Sequence, residues 1–437
     1  MARAKKEAAL TPEERLQAAL VPDWEWPHKL PENWCWVYAP HIFDIEYGKS
    51  LPTKQLSDTG YPVFGANGQI GFYSEYMYKQ PQALMSCRGA YSGTMNKSLP
   101  YSYVTSNSLI ISSPRGLMGT DCIYYLFSAL NVSELISGTA QPQVTVQAFD
   151  GFPIPLSPLA EQQRIVERIE SLFAKLDEAK EKAQAVVDSF ETRKATILHK
   201  AFTGELTAKW REEHGVGMES WEQCSISDVC TVNPKKADTK DLPDELEVSF
   251  FPMPALSEIY GEITDPQTRL LKEVRSGFTN FSEGDVVFAK ITPCMENGKS
   301  AVVGKLVNDI GYGTTEFFVL RCSDRLYNRF LYHLVRDKLF RDKAKAVMAG
   351  AVGQQRVPKR YLETYKLNLP KFNEQLEIVR ILDGSFAKEQ QAKEAAEAVL
   401  EQIDLMKKSI LTRAFRGELG TNDPSEESAV ELLKQII

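Results

Sequence analysis

The chain has 437 residues, which is enough for two to four domains. Apolar residues make up 43% and charged residues 25%, as in a typical soluble globular protein, and no apolar run is long enough to span a membrane. The N-terminus lacks the apolar core of a signal peptide, and the seven cysteines form no Cys-x-x-Cys pair. We therefore expect a cytoplasmic protein with reduced thiols and no metal site. The net charge of −7 argues mildly against a nucleic-acid partner.

Residues 1–29 are predicted to form a polar, partly helical N-terminal arm. Thr11 and Pro12 suit the cap and the first turn of a helix. Trp24 and Trp26 lie beside prolines, and we expect both to pack the arm onto the body of the protein.

Residues 30–156 consist of short apolar runs separated by glycine and asparagine, a pattern that indicates a β-rich module. Residues 61–68 and 69–73 are predicted to be two strands about a tight turn at Asn67-Gly68. Further strands are expected at 34–38, 83–89 and 108–111, and a short helix at 124–135.

Residues 157–210 are predicted to form a long central helix with a coiled-coil seam, because apolar residues alternate four and three positions apart. Arg193 is the one interruption. The predicted seam consists of Ile165, Ile169, Leu172, Leu176, Ala179, Ala183, Val186, Phe190 and Ile197. About forty residues at about 1.5 Å each would make a rod on the order of 60 Å long.

The same stretch occurs again at 371–420, with matched residues 213 positions later, as Glu161 and Glu374 are. No gap is needed, so the stretch is an internal duplication. Its predicted seam consists of Ile378, Leu382, Ala392, Ala396, Val399, Ile403, Met406 and Ile410. Ser385 and Glu389 interrupt it. Neither stripe has another obvious partner, so the two helices are expected to pair with each other.

Residues 211–370 repeat the order of the first module with looser similarity. We match 285–290 to 83–88 and the loop 350–357 to 138–144. The predicted fold class is therefore α+β. Two β-rich modules are separated by two long helices that pair as an antiparallel coiled coil, with a pseudo-two-fold internal repeat.

Two smaller elements complete the second half. A basic helix is expected at 330–346, and residues 421–437 are expected to form a short acidic tail.

Positive charge is concentrated in the modules. Residues 49–115 contain six basic and two acidic residues, and residues 321–360 contain eleven basic and three acidic residues. A polyanion would be held at these segments.

No familiar catalytic motif is present. The chain has no phosphate-binding Gly-x-x-x-x-Gly-Lys loop, no Gly-x-Gly-x-x-Gly and no Gly-x-Ser-x-Gly elbow. The lack of these motifs favours a binding or scaffolding protein with no catalytic residues over an autonomous methyltransferase or nuclease.

Three motifs resemble those of the specificity subunit of type I restriction–modification systems. They are the duplicated helix entry Glu161-Gln162 followed by Ile165-Val166, the duplicated Ala-Phe-x-Gly-Glu-Leu exit at 201–206, and the Tyr-Pro-Val-Phe-Gly-Ala-Asn-Gly hairpin at 61–68. The resemblance covers about 30–419.

The resemblance implies two target-recognition domains that each recognise one half of a split, asymmetric double-stranded DNA sequence, with the helix length fixing the gap. The helices would dock two methyltransferase subunits, which recruit the restriction subunits. Catalysis, S-adenosylmethionine, ATP and magnesium would belong to those partners, and this chain would hold no cofactor.

Residues suited to reading bases are Arg or Lys for guanine and Asn or Gln for adenine. The candidates are Asn67, Gln69, Tyr73, Arg88, Tyr91 and Lys97 in the first module and Lys290, Asn297, Lys299, Gln354, Gln355, Arg356 and Lys359 in the second. Turn formation is the competing role for Asn67, and structural pairing is the competing role for Arg88. Arg88→Ala and Arg356→Ala are each predicted to weaken DNA binding.

A coiled-coil adaptor whose β-modules bind proteins or glycans is the alternative function. DNA binding through lysine and arginine must weaken steeply as salt rises, whereas an apolar protein interface need not.

Overall fold

The computed structural model describes residues 11–113, 116–258, 261–351 and 353–435. Its helices are α1 (Pro12–Ala19), α2 (Thr120–Ala129), α3 (Leu159–Asp188), α4 (Phe190–Phe202), α5 (Ala208–Glu213), α6 (Ile226–Val229), α7 (Leu271–Val274), α8 (Asn328–Arg336), α9 (Lys338–Ala346), α10 (Lys359–Thr364), α11 (Phe372–Ala414) and α12 (Ala429–Lys434).

The strands of the first half are β1 (Cys35–Tyr38), β2 (Asp44–Tyr47), β3 (Tyr61–Gly65), β4 (Gly68–Tyr73), β5 (Ala83–Ser86), β6 (Met95–Lys97), β7 (Tyr103–Val104), β8 (Ser108–Ser112), β9 (Ile136–Ser137), β10 (Gln143–Val144) and β11 (Pro153–Leu156). Those of the second half are β12 (Glu222–Ser225), β13 (Cys230–Val232), β14 (Glu247–Phe251), β15 (Gln267–Leu270), β16 (Thr279–Phe281), β17 (Val286–Ala289), β18 (Ser300–Val302), β19 (Gly311–Gly313), β20 (Phe317–Cys322) and β21 (Lys366–Leu369).

The first compact unit contains residues up to 183 and from 398 onward. One sheet has the strand order β2-β8-β5-β6 and another the order β4-β3-β7. The β3–β7 pair is parallel, whereas the other pairs in these two sheets are antiparallel. β1 pairs with β11, which joins the start of the module to the segment that leads into α3.

The second unit, residues 184–397, repeats this plan. Its sheets have the orders β13-β20-β17-β18 and β15-β14-β19-β16, and β12 pairs with β21. β14 and β19 are parallel, as β3 and β7 are, and β16 is an additional strand. The shared topology confirms the predicted α+β class and internal repeat.

Each module has an aromatic core that also buries the first turns of a long helix. Trp36, Phe127 and Phe149 pack in the first unit with Ile165 and Ile169 of α3. In the second unit, Phe288, Phe330 and Phe340 belong to one buried cluster with Ile378 and Leu382 of α11. Burial of these isoleucines and of Leu382 in the modules fixes the position of each helix entry.

Within the first unit, α3 pairs with the end of α11 in an antiparallel manner. Lys180 bonds to Asp404 at 3.1 Å, and Lys407 forms an ion pair with Asp177. Lys407 also lies 5.0 Å from the ring centroid of Phe173. As residue numbers rise along one helix they fall along the other, which is the predicted direction.

Within the second unit, α4 pairs with the first part of α11. Arg193 bonds to Glu389 at 2.6 Å, so the interruption predicted in one seam is the ion partner of an interruption predicted in the other. Lys194 lies 5.6 Å from the ring centroid of Phe386. Phe386 and Phe173 are 213 residues apart, as are Lys407 and Lys194, so the same cation–π pair occurs in both units.

Most of the predicted seam is covered. Ile165, Ile169, Phe190, Ile378, Leu382 and Ile403 are buried, and Leu172, Leu176, Val186, Ile197 and Ile410 are half-buried. Ala183 and Ala396 are buried too, whereas Ala179 and Ala392 are exposed.

Val399 and Met406 correct the predicted seam, since they are 44% and 49% exposed. Further along, the buried side of α11 carries Leu411 and Ala414, which pack in the core of the first unit. Met406 lies about 140° around the helix from Leu411, so it points away from that core.

The predicted single helix at 157–210 is interrupted. α3 ends at Asp188, and the Ser189 side chain bonds to the carbonyl oxygen of Ala185 at 2.5 Å before α4 begins. A serine that bonds back to the preceding turn competes with the helix backbone. The helix predicted at 330–346 is likewise two helices, because the Asp337 side chain caps α9 by accepting from the backbone N–H of Phe340.

Other boundaries moved by a few residues. The β3–β4 turn consists of Ala66 and Asn67, since Gly65 pairs with Gly68. The helix expected at 124–135 begins earlier, at Thr120.

The first and last described helices, α1 and α12, belong to the first unit. Thr11 caps α1 as predicted, and Trp26 donates to the carbonyl oxygen of Val21 at 3.0 Å. Trp24 was expected to pack but is 85% exposed. The predicted acidic tail contains α12, which buries Leu433 in the core.

No helix in the described part of the chain is long and apolar enough to cross a membrane.

Candidate nucleic-acid interface

Three backbone segments meet beyond the end of β5 in the first unit. Cys87 donates its backbone N–H to the carbonyl oxygen of Asn107 at 3.0 Å, and Val144 donates to the carbonyl oxygen of Cys87 at 3.0 Å. Gly89 donates to the carbonyl oxygen of Pro142 at 2.9 Å. We call this the first junction. Its hydrogen bonds hold an otherwise irregular surface in one backbone arrangement.

The first junction presents three exposed polar side chains, those of Arg88, Asn107 and Gln143. None of them forms a side-chain hydrogen bond or an ion pair with the rest of the described chain. Their donors and acceptors are therefore available to a ligand.

The second unit has the same arrangement beyond the end of β17. Lys290 donates its backbone N–H to the carbonyl oxygen of Glu316 at 2.9 Å, and Val357 donates to that of Lys290 at 2.9 Å. Thr292 donates to the carbonyl oxygen of Gln355 at 3.0 Å. We call this the second junction.

The matching backbone hydrogen bonds of the two junctions correct the sequence alignment of residues 285–290 with residues 83–88. Cys87 corresponds to Lys290, so Arg88 corresponds to Ile291 and not to Lys290. The strand register agrees, because Ala83 pairs with Ile111 as Val286 pairs with Leu320. Sequence similarity was too weak to fix this one-residue shift.

Arg356 is fixed by a carboxylate of its own module. Its Nε bonds to Oε2 of Glu316 at 2.9 Å, and its Nη2 bonds to Oε1 at 2.8 Å. Hydrogen bonding from the Arg356 guanidinium holds the pKa of Glu316 below its ordinary value. Nη1 of Arg356 donates to the carbonyl oxygen of Gln354 at 3.1 Å. The guanidinium is thus oriented, and 43% of its side chain remains exposed.

Other candidates in the second module also have partners there. Glu258 accepts a hydrogen bond from Asn297 at 3.1 Å and lies 3.7 Å from Lys299. Lys359 pairs with Glu363 at 2.9 Å, one turn along α10.

The remaining candidates of this module surround the second junction. Nζ of Lys290 lies 5.6 Å from the ring centroid of Phe318. Gln354 is exposed and Gln355 is half-buried.

The basic residues expected on the 330–346 helix are largely engaged within the module. Arg336 donates to the carbonyl oxygen of Gly298 at 3.0 Å, and Lys338 pairs with Asp342 at 2.6 Å. Arg341 donates to the carbonyl oxygen of Glu296. Two of these three cations thus hold the loop at 296–298, and the third is paired within its own helix.

Three candidates of the first module, Asn67, Gln69 and Tyr73, lie on the β3–β4 hairpin. Asn67 lies in the β3–β4 turn and is exposed, as is Gln69 on β4. The ring of Tyr73 packs edge-on against Tyr103 with centroids 5.4 Å apart. Turn formation by Asn67 agrees with the competing role considered from sequence.

The last two candidates of the first module lie near the first junction in sequence. Tyr91 is exposed at its edge. Lys97 is bonded to Asp121 at 2.7 Å.

Besides Arg88, free positive charge in the first module lies on Lys49, Lys54 and Lys79. All three are exposed, and no acidic side chain of the described chain pairs with them. Arg115, which contributed to the charge count, lies outside the described residues.

Three exposed tyrosines were not predicted from sequence. Tyr76 packs edge-on against Tyr61, with centroids 4.9 Å apart, and against Tyr101, with centroids 5.3 Å apart. They come from three separate segments, and no spacing in the sequence links them.

The duplicated Glu-Gln motif anchors each helix entry. Glu161 is buried and accepts hydrogen bonds from Trp34 Nε1 at 2.7 Å, Asn422 at 2.8 Å and Thr421 at 3.2 Å. The exit of α11 is therefore tied to the entry of α3 within the first unit.

Glu374 has the same role in the second unit. It accepts from Trp221 Nε1 at 2.9 Å and Thr207 at 2.7 Å, and it forms a buried ion pair with Arg211 at 2.6 Å. Here the exit of α4 is tied to the entry of α11.

The duplicated exits cap their helices. Gly204 has a φ of +83° and Gly417 a φ of +73°, which favour glycine at a helix end. Leu206 donates back to the carbonyl oxygen of Lys200 at 2.9 Å, and Glu418 to that of Arg413 at 2.9 Å. Helix capping by these bonds is sufficient to explain why the motif occurs at both helix ends.

Comparison with known proteins decides the family. Residues 31–187 and 218–402 match the family model of the type I restriction modification DNA specificity domain. The chain belongs to this family.

Two curated relatives of this specificity-domain family illustrate the range of similarity. The chain is 32% identical over 264 residues to the type I restriction enzyme EcoEI specificity subunit of Escherichia coli, which covers 50% of this chain and 43% of that protein. It is 23% identical over 452 residues to the EcoKI specificity subunit of E. coli K12, covering 93% and 96%. The match to the first relative thus spans less than half of that relative.

A solved structure shares the fold. The HsdS subunit from Thermoanaerobacter tengcongensis aligns with a TM-score of 0.57 at 20% identity, over 90% of this chain and 99% of the other.

Proposed function

We propose that this chain is the non-catalytic DNA-specificity subunit of a type I restriction–modification enzyme. Each module recognises one half of a split, asymmetric double-stranded DNA sequence. Membership of the specificity-domain family supports this role.

The observation that carries the proposal is that one topology occurs twice with unlike exposed side chains. The junctions share three backbone hydrogen bonds, yet one presents Arg88 and Gln143 where the other presents Ile291 and Arg356. A scaffold kept constant while its surface differs suits two half-sites of different sequence.

Partner subunits complete the enzyme in this proposal. The paired helices dock two methyltransferase subunits, and the restriction subunits join through them. Catalysis then belongs to the partners, together with S-adenosylmethionine, ATP and magnesium, and the complex acts in the cytoplasm. The matched glutamates of the duplicated exits, Glu205 and Glu418, are both exposed and offer two similar surfaces for two copies of one partner.

Salt dependence of DNA binding tests the proposal against a protein-binding adaptor. The chain in complex with its cognate methyltransferase subunit is titrated with a random-sequence duplex between about 50 and 200 mM salt. Affinity should fall linearly in a log–log plot, by about one unit of slope for each phosphate that is neutralised.

Two triple variants, one for the test and one for the control, identify the lysines that contact phosphate. Replacing Lys49, Lys54 and Lys79 by alanine should reduce the slope by about three units, since each exposed lysine contributes about one. The matched change of Lys182, Lys209 and Lys434, which form helical ion pairs, should leave it unaltered. Affinity that does not respond to salt would contradict the proposal.

A further inference from the structure

The two junctions offer the same three side-chain positions on one repeated backbone. Because the hydrogen bonds correspond, Asn107 matches Glu316, Arg88 matches Ile291 and Gln143 matches Arg356. Gln143 was not among the candidates chosen from sequence, since only the structural match links it to Arg356.

Arg356 is presented with part of its hydrogen-bonding capacity unused. A guanidinium carries five N–H donors. Nε and Nη2 donate to Glu316, and Nη1 donates to the carbonyl oxygen of Gln354. One donor on Nη1 and one on Nη2 therefore have no partner in the described chain. The remaining Nη2 donor faces away from Nε, on the side of Nη1, and two neighbouring guanidinium donors match the O6 and N7 acceptors of guanine.

Glu316 holds this edge in place before a ligand arrives. Its carboxylate is mostly covered, and it sits directly before β20, in the well-packed part of the module. An exposed arginine held in one orientation loses less conformational freedom when it binds. Glu316 is thus a positioning residue, not a competitor for the base.

The first junction has amide groups in the matching places. The side chains of Gln143 and Asn107 are exposed and make no hydrogen bond with the described chain. A carboxamide offers one donor group and one acceptor, which is the pattern that pairs with N7 and N6 of adenine.

We infer that Gln143 and Arg356 occupy equivalent base-reading positions, with Gln143 reading adenine in one half-site and Arg356 reading guanine in the other. The inference rests on the proposed function, and it adds the base class read at one position of each module.

Mapping methylated bases across a genome tests this inference. The chain and its cognate methyltransferase subunit are co-expressed, and the methylated motif is compared among variants. Arg356→Ala should relax one guanine of the motif, and Gln143→Ala should relax one adenine in the opposite half. Each discrimination should drop by about tenfold to a hundredfold.

Further variants distinguish a loss of base recognition from a failure of the chain to fold or assemble. Arg356→Lys keeps a positive donor but cannot be held by two bonds to Glu316, so it should partly relax the same guanine even if the alanine variant fails to assemble. Glu316→Gln should relax that guanine and no other position. Arg325→Ala, at another exposed ion-paired arginine, and Gln17→Ala, on α1, should leave the motif unchanged.

The outcomes distinguish the two proposals. A wild-type map without a split motif would refute the function itself. A split motif that stays the same in the Arg356 and Gln143 variants would refute only this inference, as would relaxation of both variants in the same half.

Discussion

At the scale of single residues, each helix entry buries a glutamate, and the two glutamates are stabilised by different partners. Glu161 is buried among neutral donors, whereas Glu374 is paired with Arg211, and both of the latter side chains are less than a tenth exposed. A buried charge is costly once its partner is removed.

Arg211→Ala should therefore lower the free energy of unfolding by about 3–5 kcal/mol, because Glu374 would be left buried without a cation. Urea denaturation of the purified chain measures this loss. Arg325→Ala is the matched control, since the Arg325–Glu222 pair is about half exposed, and it should cost about 0.5 kcal/mol or less. Equal effects of the two substitutions would contradict the structural role of Glu374.

His333 gives the second unit a pH dependence. Burial lowers the pKa of this histidine, and that effect outweighs the hydrogen bond with Asp383 at 3.0 Å. The unfolded chain therefore binds a proton more readily than the folded one as pH falls below 6.5. The stability that the neutral His333 side chain contributes is fully present above that pH and is lost as the pH falls below it.

Replacing His333 by glutamine should remove this contribution. Between pH 7.5 and 5.5, the unfolding free energy of the wild type should fall more steeply than that of the variant, by up to about 1.4 kcal/mol per pH unit. Urea denaturation at several pH values provides the comparison. Parallel curves would show that His333 does not titrate differently on folding.

Individual contacts were the hardest feature to predict from sequence. Arg356 and Lys299 were chosen from sequence as DNA-binding candidates, but their partners Glu316 and Glu258, which lie some forty residues away in the chain, were not foreseen. Such pairs are made by sheet topology, which no local pattern encodes. Gln143 was missed for the same reason.

At the scale of elements, the paired helices followed closely from sequence. A four-and-three alternation depends only on helix geometry, so Ile165, Ile169, Ile378 and Leu382 were placed correctly in buried positions. The break at Ser189 was not predicted, because it depends on a side chain bonding back to its own helix.

The Arg193–Glu389 pair can be tested against its own repeat. The residue equivalent to Arg193 in the other repeat is Met406, and the residue equivalent to Glu389 is Leu176. The other repeat therefore has two apolar residues where this one has an ion pair. Arg193→Met and Glu389→Leu alone should each cost about 1–2 kcal/mol, whereas the double variant should recover about 1 kcal/mol of the summed loss.

A double-mutant cycle by urea denaturation measures this coupling. The exposed Lys182–Glu178 pair, one turn apart on α3, is the control and should couple by about 0.5 kcal/mol at most. Strictly additive losses at 193 and 389 would show that the ion pair does not stabilise the seam.

At the scale of the whole molecule, duplication organises the chain. Repeated helix motifs predicted the plan of module, helix, module and helix, and the repeated sheet orders agree with it. The detailed match of the modules needed the structure, because their sequences have diverged while the backbone hydrogen bonds have stayed the same.

The most direct test of this account is a genome-wide map of methylated bases from cells that express the wild-type chain with its cognate methyltransferase subunit. The account predicts one split motif with two unlike halves and a fixed gap. A soluble complex that forms but methylates no such motif would contradict it.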